Sequence, residues 1–175
     1  MLDTHMQFFT ASILKWRPIL FNDPYKKIII NSLKFLVEHK RVILYAFVVM
    51  PNHIHIIWQI CEGHKLAYVQ RDFLRFTGQQ ILKDFRTNRP ELYKAFEVNL
   101  KDRRLQIWQR NPLSIDLYSR KVIEQKLDYI HHNPVQGKWN LVEEYTDYYY
   151  SSASFYEDGD ERFGFLTHYM AYFGH

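Results

Sequence analysis

Two short stretches of this chain hold side chains whose types and spacing could do chemistry. The first is His53-Ile54-His55. On a β-strand, residues two apart point to the same face, so both imidazoles would project together while Ile54 and Ile56 point the other way. That arrangement suits two adjacent ligand positions on one divalent metal. The plain alternative is a pair of histidines on the solvent face of a strand. The flanks, VVMPN before and IIWQI after, are strongly apolar. They mark a central strand whose second face must be covered or used.

The second stretch is LDYIHHNPV at residues 127–135. Tyr129 and Asn133 are four apart, hence one turn apart on one face of a helix. A phenol hydroxyl and an amide carbonyl could then reach the same point. Equally, Tyr129 could be one more buried aromatic and Asn133 a helix end before Pro134, and that reading stays open here. His131 and His132 are adjacent, so at most one can face any site, and both are read as supporting or surface groups.

Residues 6–16 are apolar and β-branched enough for a first strand. Asp23-Pro24 opens a helix, and Ile28, Ile29, Leu33, Leu36 and Val37 carry it at helical spacing to about His39. Residues 42–50 form a continuous apolar run expected of a central strand. Pro51-Asn52 breaks that run, and residues 53–60 resume it as an antiparallel partner. Residues 67–85 have helical periodicity despite Gly78. Residues 86–110, with Pro90, read as a polar, irregular and mobile connection holding a short strand near 105–108. A last strand at 113–118 and a helix at 119–133 follow, the helix ending because Pro134 disfavours helical geometry in the residue before it. Residues 137–175 are aromatic-rich and are expected to pack over the sheet or its edge.

This order predicts an α+β fold: a ferredoxin-like antiparallel sheet with helices packed on one face, plus a C-terminal helix and tail carrying the tyrosine. We expect one domain over 1–175, with 137–175 as an extension packed on it. No repeat or low-complexity segment is present.

Composition is that of a soluble globular protein, with 47% hydrophobic and 24% charged residues. The aromatic share, 17%, is high enough to supply both a core and rings for stacking on bases. Trp58, Trp108 and Tyr118 are candidate platforms, with burial in the core as the alternative. A single cysteine, Cys61, excludes an internal disulfide and fits a reducing setting. There is no basic segment leading into an apolar signal core, and no apolar run approaches the roughly 20 residues of a membrane span. A cytoplasmic protein with no membrane partner is expected. Net charge is +4, but residues 65–110 hold 11 Lys/Arg against 5 Asp/Glu, and the tail from residue 139 is acidic. A basic middle suits phosphates.

The segments AFVVMPNHIHII (46–57) and YIHHNPV (129–135) closely resemble the REP-associated tyrosine transposases and related single-tyrosine transposases of the HUH nuclease group. Trp108-Gln109-Arg110 matches the W-Q-R of that family, and YYYSS at 148–152 matches its Y-x-x-S-S. The resemblance runs from about residue 8 to residue 156. It stops in the tail, and Gln136-Gly137-Lys138 departs from the usual turn.

The resemblance implies a ferredoxin-like core and a metal site of His53, His55 and Asn133 holding Mg²⁺ or Mn²⁺. It implies Tyr129 as nucleophile, forming a 5′-phosphotyrosine and leaving a free 3′-hydroxyl. The implied partner is single-stranded DNA beside hairpin-forming palindromic repeats, in a bacterial, nucleoid-associated setting, with the protein a monomer or homodimer. Arg71, Arg75, Lys83, Arg86, Arg103, Arg104 and Arg110 would then give salt-sensitive phosphate contacts. Two competing functions remain: a domesticated, non-cleaving hairpin-binding regulator, and a metal phosphodiesterase using water instead of Tyr129. A zinc-binding module is disfavoured by the single cysteine.

Overall fold

A computed structural model describes residues 5–174. Strand β1 (Met6–Ser12) is followed by helix α1 (Asp23–Glu38), then strands β2 (Val42–Val49) and β3 (His53–Ile60), helix α2 (Leu66–Asn88) and a short helix α3 (Pro90–Ala95). A two-stranded hairpin, β4 (Glu97–Leu100) and β5 (Arg103–Leu105), precedes strand β6 (Leu113–Leu117) and helix α4 (Arg120–His132). One further short helix, α5, spans Ala153–Asp158. Four strands make one antiparallel sheet in the order β2-β3-β1-β6. With a helix after β1 and another between β3 and β6, that is the ferredoxin-like arrangement the sequence predicts.

Why β3 sits inside the sheet follows from its composition. Ile54, Ile56, Ile57, Trp58 and Ile60 are all buried, and a strand apolar on both faces is stable only with cover on each. Alternation sends Ile54, Ile56 and Trp58 to one face, where Trp58 meets Phe9 of β1 and Phe73 of α2. The long helices α1 and α2 pack together on that side. His53, His55 and Ile57 go to the other face, which α4 crosses.

The connection at 86–110 corrects its sequence reading. It is ordered and folded, with α3 and the β4–β5 hairpin where an irregular, mobile segment was expected. Apolar residues too scattered to show a period anchor it. Phe96 is fully buried against Phe85, and Trp108 is buried, donating from Nε1 to Thr77 Oγ1 at 3.0 Å. Burial also removes Trp58 and Trp108 as stacking platforms; Tyr118 is 73% exposed.

The chain after α4 runs along the open edge of β2. Val49 N–H donates to Tyr150 O, Ser152 N–H to Phe47 O and Thr167 N–H to Leu44 O, each at 2.9–3.0 Å. These bonds satisfy an edge that would otherwise template aggregation. Among the described residues no helix is long and apolar enough to cross a membrane.

His131 ties the tail to α4. It is buried on the core side, with Nε2 2.7 Å from Ser152 Oγ, which in turn accepts from Phe47 N–H at 3.0 Å. Burial lowers its pKa to about 4, and burial lowers that of His55 to about 3. In the unfolded chain both would titrate near 6.5. The folded state thus resists a protonation that the unfolded state accepts. Stability present above pH 6.5 is lost as pH falls from 6.5 towards 4, by up to about tenfold in the folding constant per pH unit for each histidine. Urea unfolding of metal-free protein at pH 7.5 and pH 5 should show this loss, and His131→Asn should shrink it. Equal losses in variant and parent would clear His131 of the role.

Candidate metal and nucleophile site

The site lies where the middle of the sheet meets α4. The rings of His53 and His55 are 4.8 Å apart between centroids. Each Nδ1 has a fixed partner. Thr10 is registered opposite His55 across β1, and its Oγ1 is 2.7 Å from His55 Nδ1. Asn52 Oδ1 is 2.6 Å from His53 Nδ1. The Asn52 amide nitrogen donates to Trp16 O at 3.3 Å, so its oxygen must face His53, and His53 Nδ1 carries the proton. His53 Nε2 is left as a lone-pair donor, and His55 Nε2 becomes one when the Thr10 hydroxyl accepts from Nδ1. Such outer partners fix the tautomer and aim of a metal-binding imidazole.

Asn133 Oδ1 stands 3.2 Å from His53 Nε2. With Nδ1 protonated, this contact sets two electron-pair donors against each other, an arrangement that a shared cation relieves. Cis ligands around a six-coordinate ion of Mg²⁺ type stand about 3 Å apart, which fits. His55 Nε2 is buried and has no hydrogen-bond partner among the described residues. Burial holds both imidazoles neutral by lowering their pKa values, partly opposed at His53 by the Asn133 oxygen, which would accept from the protonated ring, and reinforced at His55 by the neighbouring His53. No cluster of three His, Cys, Asp or Glu exists among the described residues, so an ion here would be held by two imidazoles and an amide. That set fits a divalent cation and leaves its full charge in place.

Asn133 reaches this point because the backbone stays helical one residue longer than the sequence reading allowed. Pro134 was expected to push Asn133 out of helical geometry. Instead Asn133 keeps φ −53° and ψ −43° and starts a 3₁₀ turn over Asn133–Val135. The four-residue spacing to Tyr129 is thereby preserved. Tyr129 is 47% exposed, its ring edge-on to His55 at 5.3 Å. Phe8 stacks on His55 at 5.4 Å and meets Tyr129 at 6.2 Å. The Lys126 ammonium lies 4.8 Å above the Phe8 ring and 5.8 Å from that of Tyr129. His132 Nδ1 meets the Asp128 carbonyl at 2.9 Å, away from the pair.

The seven basic residues singled out in the sequence divide. Arg71, Arg75, Arg103 and Arg110 line one cleft of about 690 Å³ between α2 and the β4–β6 segment, with Asp102 as its acidic member. Asp102 pairs with Arg103 at 3.1 Å and Arg110 at 2.7 Å. Lys83, Arg86 and Arg104 are exposed but do not line the cleft. The cleft lies on the α2 side of the sheet and the histidines on the α4 side. They approach at the end of β1, where Gln109 N–H donates to Ser12 O at 2.7 Å and Ser12 is registered with His53.

Sequence reasoning did not single out Thr10, Asn52, Phe8 or Trp139 beside the site. Asn52 was visible within MPNHIH. Thr10 and Phe8 depend on cross-strand register, which no local pattern reports.

No family model matches the chain. It is 29% identical over 152 residues to a provisionally assigned REP-associated tyrosine transposase of Haemophilus influenzae, covering 84% of this chain and 78% of that relative. Its fold matches that of a REP-associated tyrosine transposase bound to a REP hairpin, with a TM-score of 0.65 at 22% identity over 95% of this chain and 84% of the other. A provisionally assigned transposase of Deinococcus radiodurans matches with a TM-score of 0.50 at 14% identity, covering 74% of this chain and 91% of that one. At these identities the two structures speak to fold alone. In sequence and in fold, this chain resembles the REP-associated tyrosine transposases, as its MPNHIH and YIHHNPV segments imply.

Proposed function

We propose that this protein is an endonuclease and strand transferase for single-stranded DNA beside hairpin-forming repeats, with Tyr129 as nucleophile. The observation that carries this reading is His53 Nε2 standing 3.2 Å from Asn133 Oδ1, with the His55 ring 4.8 Å from that of His53, its Nε2 buried and unpartnered among the described residues, and the exposed Tyr129 edge-on to it. The relative solved with a REP hairpin supports the choice of substrate. Such a protein would act where chromosomal DNA is found, in the cytoplasm.

His53, His55 and Asn133 would hold Mg²⁺ or Mn²⁺. When bound, such an ion polarises the scissile phosphate and offsets charge on the attacking and departing oxygens. A phenol is a weak nucleophile at neutral pH, so this assistance matters. Tyr129 Oη bonds to phosphorus as the bond to the 3′-oxygen breaks. The phenol proton passes to solvent and the departing oxygen takes one up. A 5′-phosphotyrosine and a free 3′-hydroxyl result, and attack by a 3′-hydroxyl reverses the step without an energy source.

The arginine cleft would bind backbone phosphates irrespective of sequence. Arg71→Glu with Arg75→Glu should weaken all single-stranded substrates alike and flatten the log–log salt dependence by about 0.7 for each phosphate no longer neutralised. Lys83→Glu with Arg86→Glu should do less.

Tyr129→Phe should lower SDS-resistant protein–DNA adduct on a hairpin oligonucleotide by at least about a thousandfold, with binding retained. Cleavage that survives this change would move the reaction to water and favour the phosphodiesterase reading. Binding without any cleavage by the wild-type protein would favour the regulator.

Mn²⁺ titration calorimetry tests the metal assignment. His53→Ala and His55→Ala should abolish binding. Thr10→Val, which unties His55 Nδ1, and Asn52→Ala, which unties His53 Nδ1 and gives up the bond to Trp16 O, should weaken it by about 10–100-fold. Unaltered affinity in the histidine variants would place the metal elsewhere.

The same sequence offered as perfect duplex should not be cleaved, because pairing hides the bases beside the hairpin foot. Equal cleavage of both forms, at one salt and one Mn²⁺ concentration, would sink the single-strand reading.

A further inference from the structure

The histidine pair is flanked at both ends by an aromatic ring with a lysine over it. At the His55 end these are Tyr129 and Phe8 with Lys126. At the His53 end the ring is Trp139, 6.4 Å from His53, with the Lys138 ammonium 4.9 Å above it. Trp139 is half-buried and Lys138 exposed. Neither lysine has an ion-pair partner among the described residues. Lys138 falls in the turn that follows the 3₁₀ segment Asn133–Val135.

That turn is firmly held. Leu141 N–H donates to Pro134 O at 2.8 Å and Trp139 N–H to Gln136 O at 3.2 Å. Asn140 Nδ2 closes it onto Gly137 O at 3.3 Å, and Gly137 takes φ +59°, a region that glycine enters without cost. It follows Asn133 directly, so Trp139 is placed by the same backbone that places the amide oxygen.

Resting on the transfer chemistry proposed above, the position of Trp139 acquires a meaning. In an in-line displacement the departing oxygen leaves opposite the attacking one. Tyr129 attacks from the His55 end, so the 3′-oxygen departs towards the His53 end. We propose that Lys138 and Trp139 hold the nucleotide on the 5′ side of the cleaved bond, its base stacked on the indole and its phosphate against the ammonium. A flat ring beside a cation is how proteins grip unpaired nucleotides. Holding this nucleotide keeps the new 3′-hydroxyl beside the phosphotyrosine, ready for rejoining.

The test uses a hairpin oligonucleotide with an unpaired flank, carrying 5-iodouracil at successive flank positions. It is irradiated with the full-length Tyr129→Phe protein, which cannot cleave. Crosslinks should map to Trp139 from one flank position; crosslinks confined to other residues overturn the proposal. Because Trp139 also packs on the core, Trp139→Leu preserves apolar contact but removes the stacking face, and Trp139→Phe restores a ring. Leu should weaken binding of the flanked hairpin by about tenfold and leave a blunt hairpin unaffected, while Phe should recover most of the loss. Equal binding by wild type, Leu and Phe variants overturns the proposal. If the wild-type protein forms no tyrosine adduct, the transfer reading fails on its own. The crosslinks still decide whether Trp139 grips a base.

Discussion

Pairing of β3 on both edges is the constraint on which the rest depends. With β2 on one side and β1 on the other, β3 cannot tilt or slip, and a one-residue slip would send its histidines to the opposite face. The pairing does more than hold β3. It brings Thr10 level with His55, so the partner that fixes one imidazole comes from the neighbouring strand. Asn52, in the turn before β3, fixes the other. Two histidines on a free surface strand would have neither partner and would turn in solvent. Here each ring has one nitrogen occupied and one presented, and burial keeps both uncharged.

Much of this was legible because it is written in short periods. The apolar run of β2, the break at Pro51-Asn52 and the alternating His-Ile-His give two antiparallel strands and a common face for the histidines. The Tyr129–Asn133 spacing gives a common face on a helix. What was not legible involves distance along the chain. The fold of residues 86–110 rests on isolated residues such as Phe96 and Trp108, each buried by partners dozens of positions away, so no window of sequence carries the pattern. The same holds for Phe8 and Thr10, which meet His55 only because β1 lies beside β3. At Pro134 a sound local rule gave the wrong geometry. Proline disfavours helical backbone before it. The 3₁₀ turn at Asn133–Val135 tolerates that conformation, and packing of the following turn holds it.

Charge divides the sheet as well. The α2 face borders a cleft of four arginines moderated by Asp102, whereas the α4 face holds two neutral imidazoles and an amide with Lys126 and Lys138 at its ends. A polyanion can bind the cleft by long-range attraction that tolerates any sequence. The histidine site is more buried, and under the proposed function it would act only on a phosphate brought within reach of its imidazoles and amide. Under the proposed function, separating grip from chemistry in this way would let salt govern the first and ligand geometry the second.

The position of Tyr129 is set from behind. Tyr129 and His131 are two residues apart, so they lie on nearly opposite sides of α4. His131 is buried against Ser152, and Ser152 is bonded to the backbone of Phe47 in β2. Ile123, Leu127 and Ile130 bury the same side of the helix. None of these groups can move without opening the core, so the roll of α4 about its axis is fixed by contacts on the side of the helix away from Tyr129. The acidic tail, which shows no catalytic pattern, therefore acts on the site through packing: by closing the edge of β2 and clasping His131, it determines where the phenol of Tyr129 stands relative to His55.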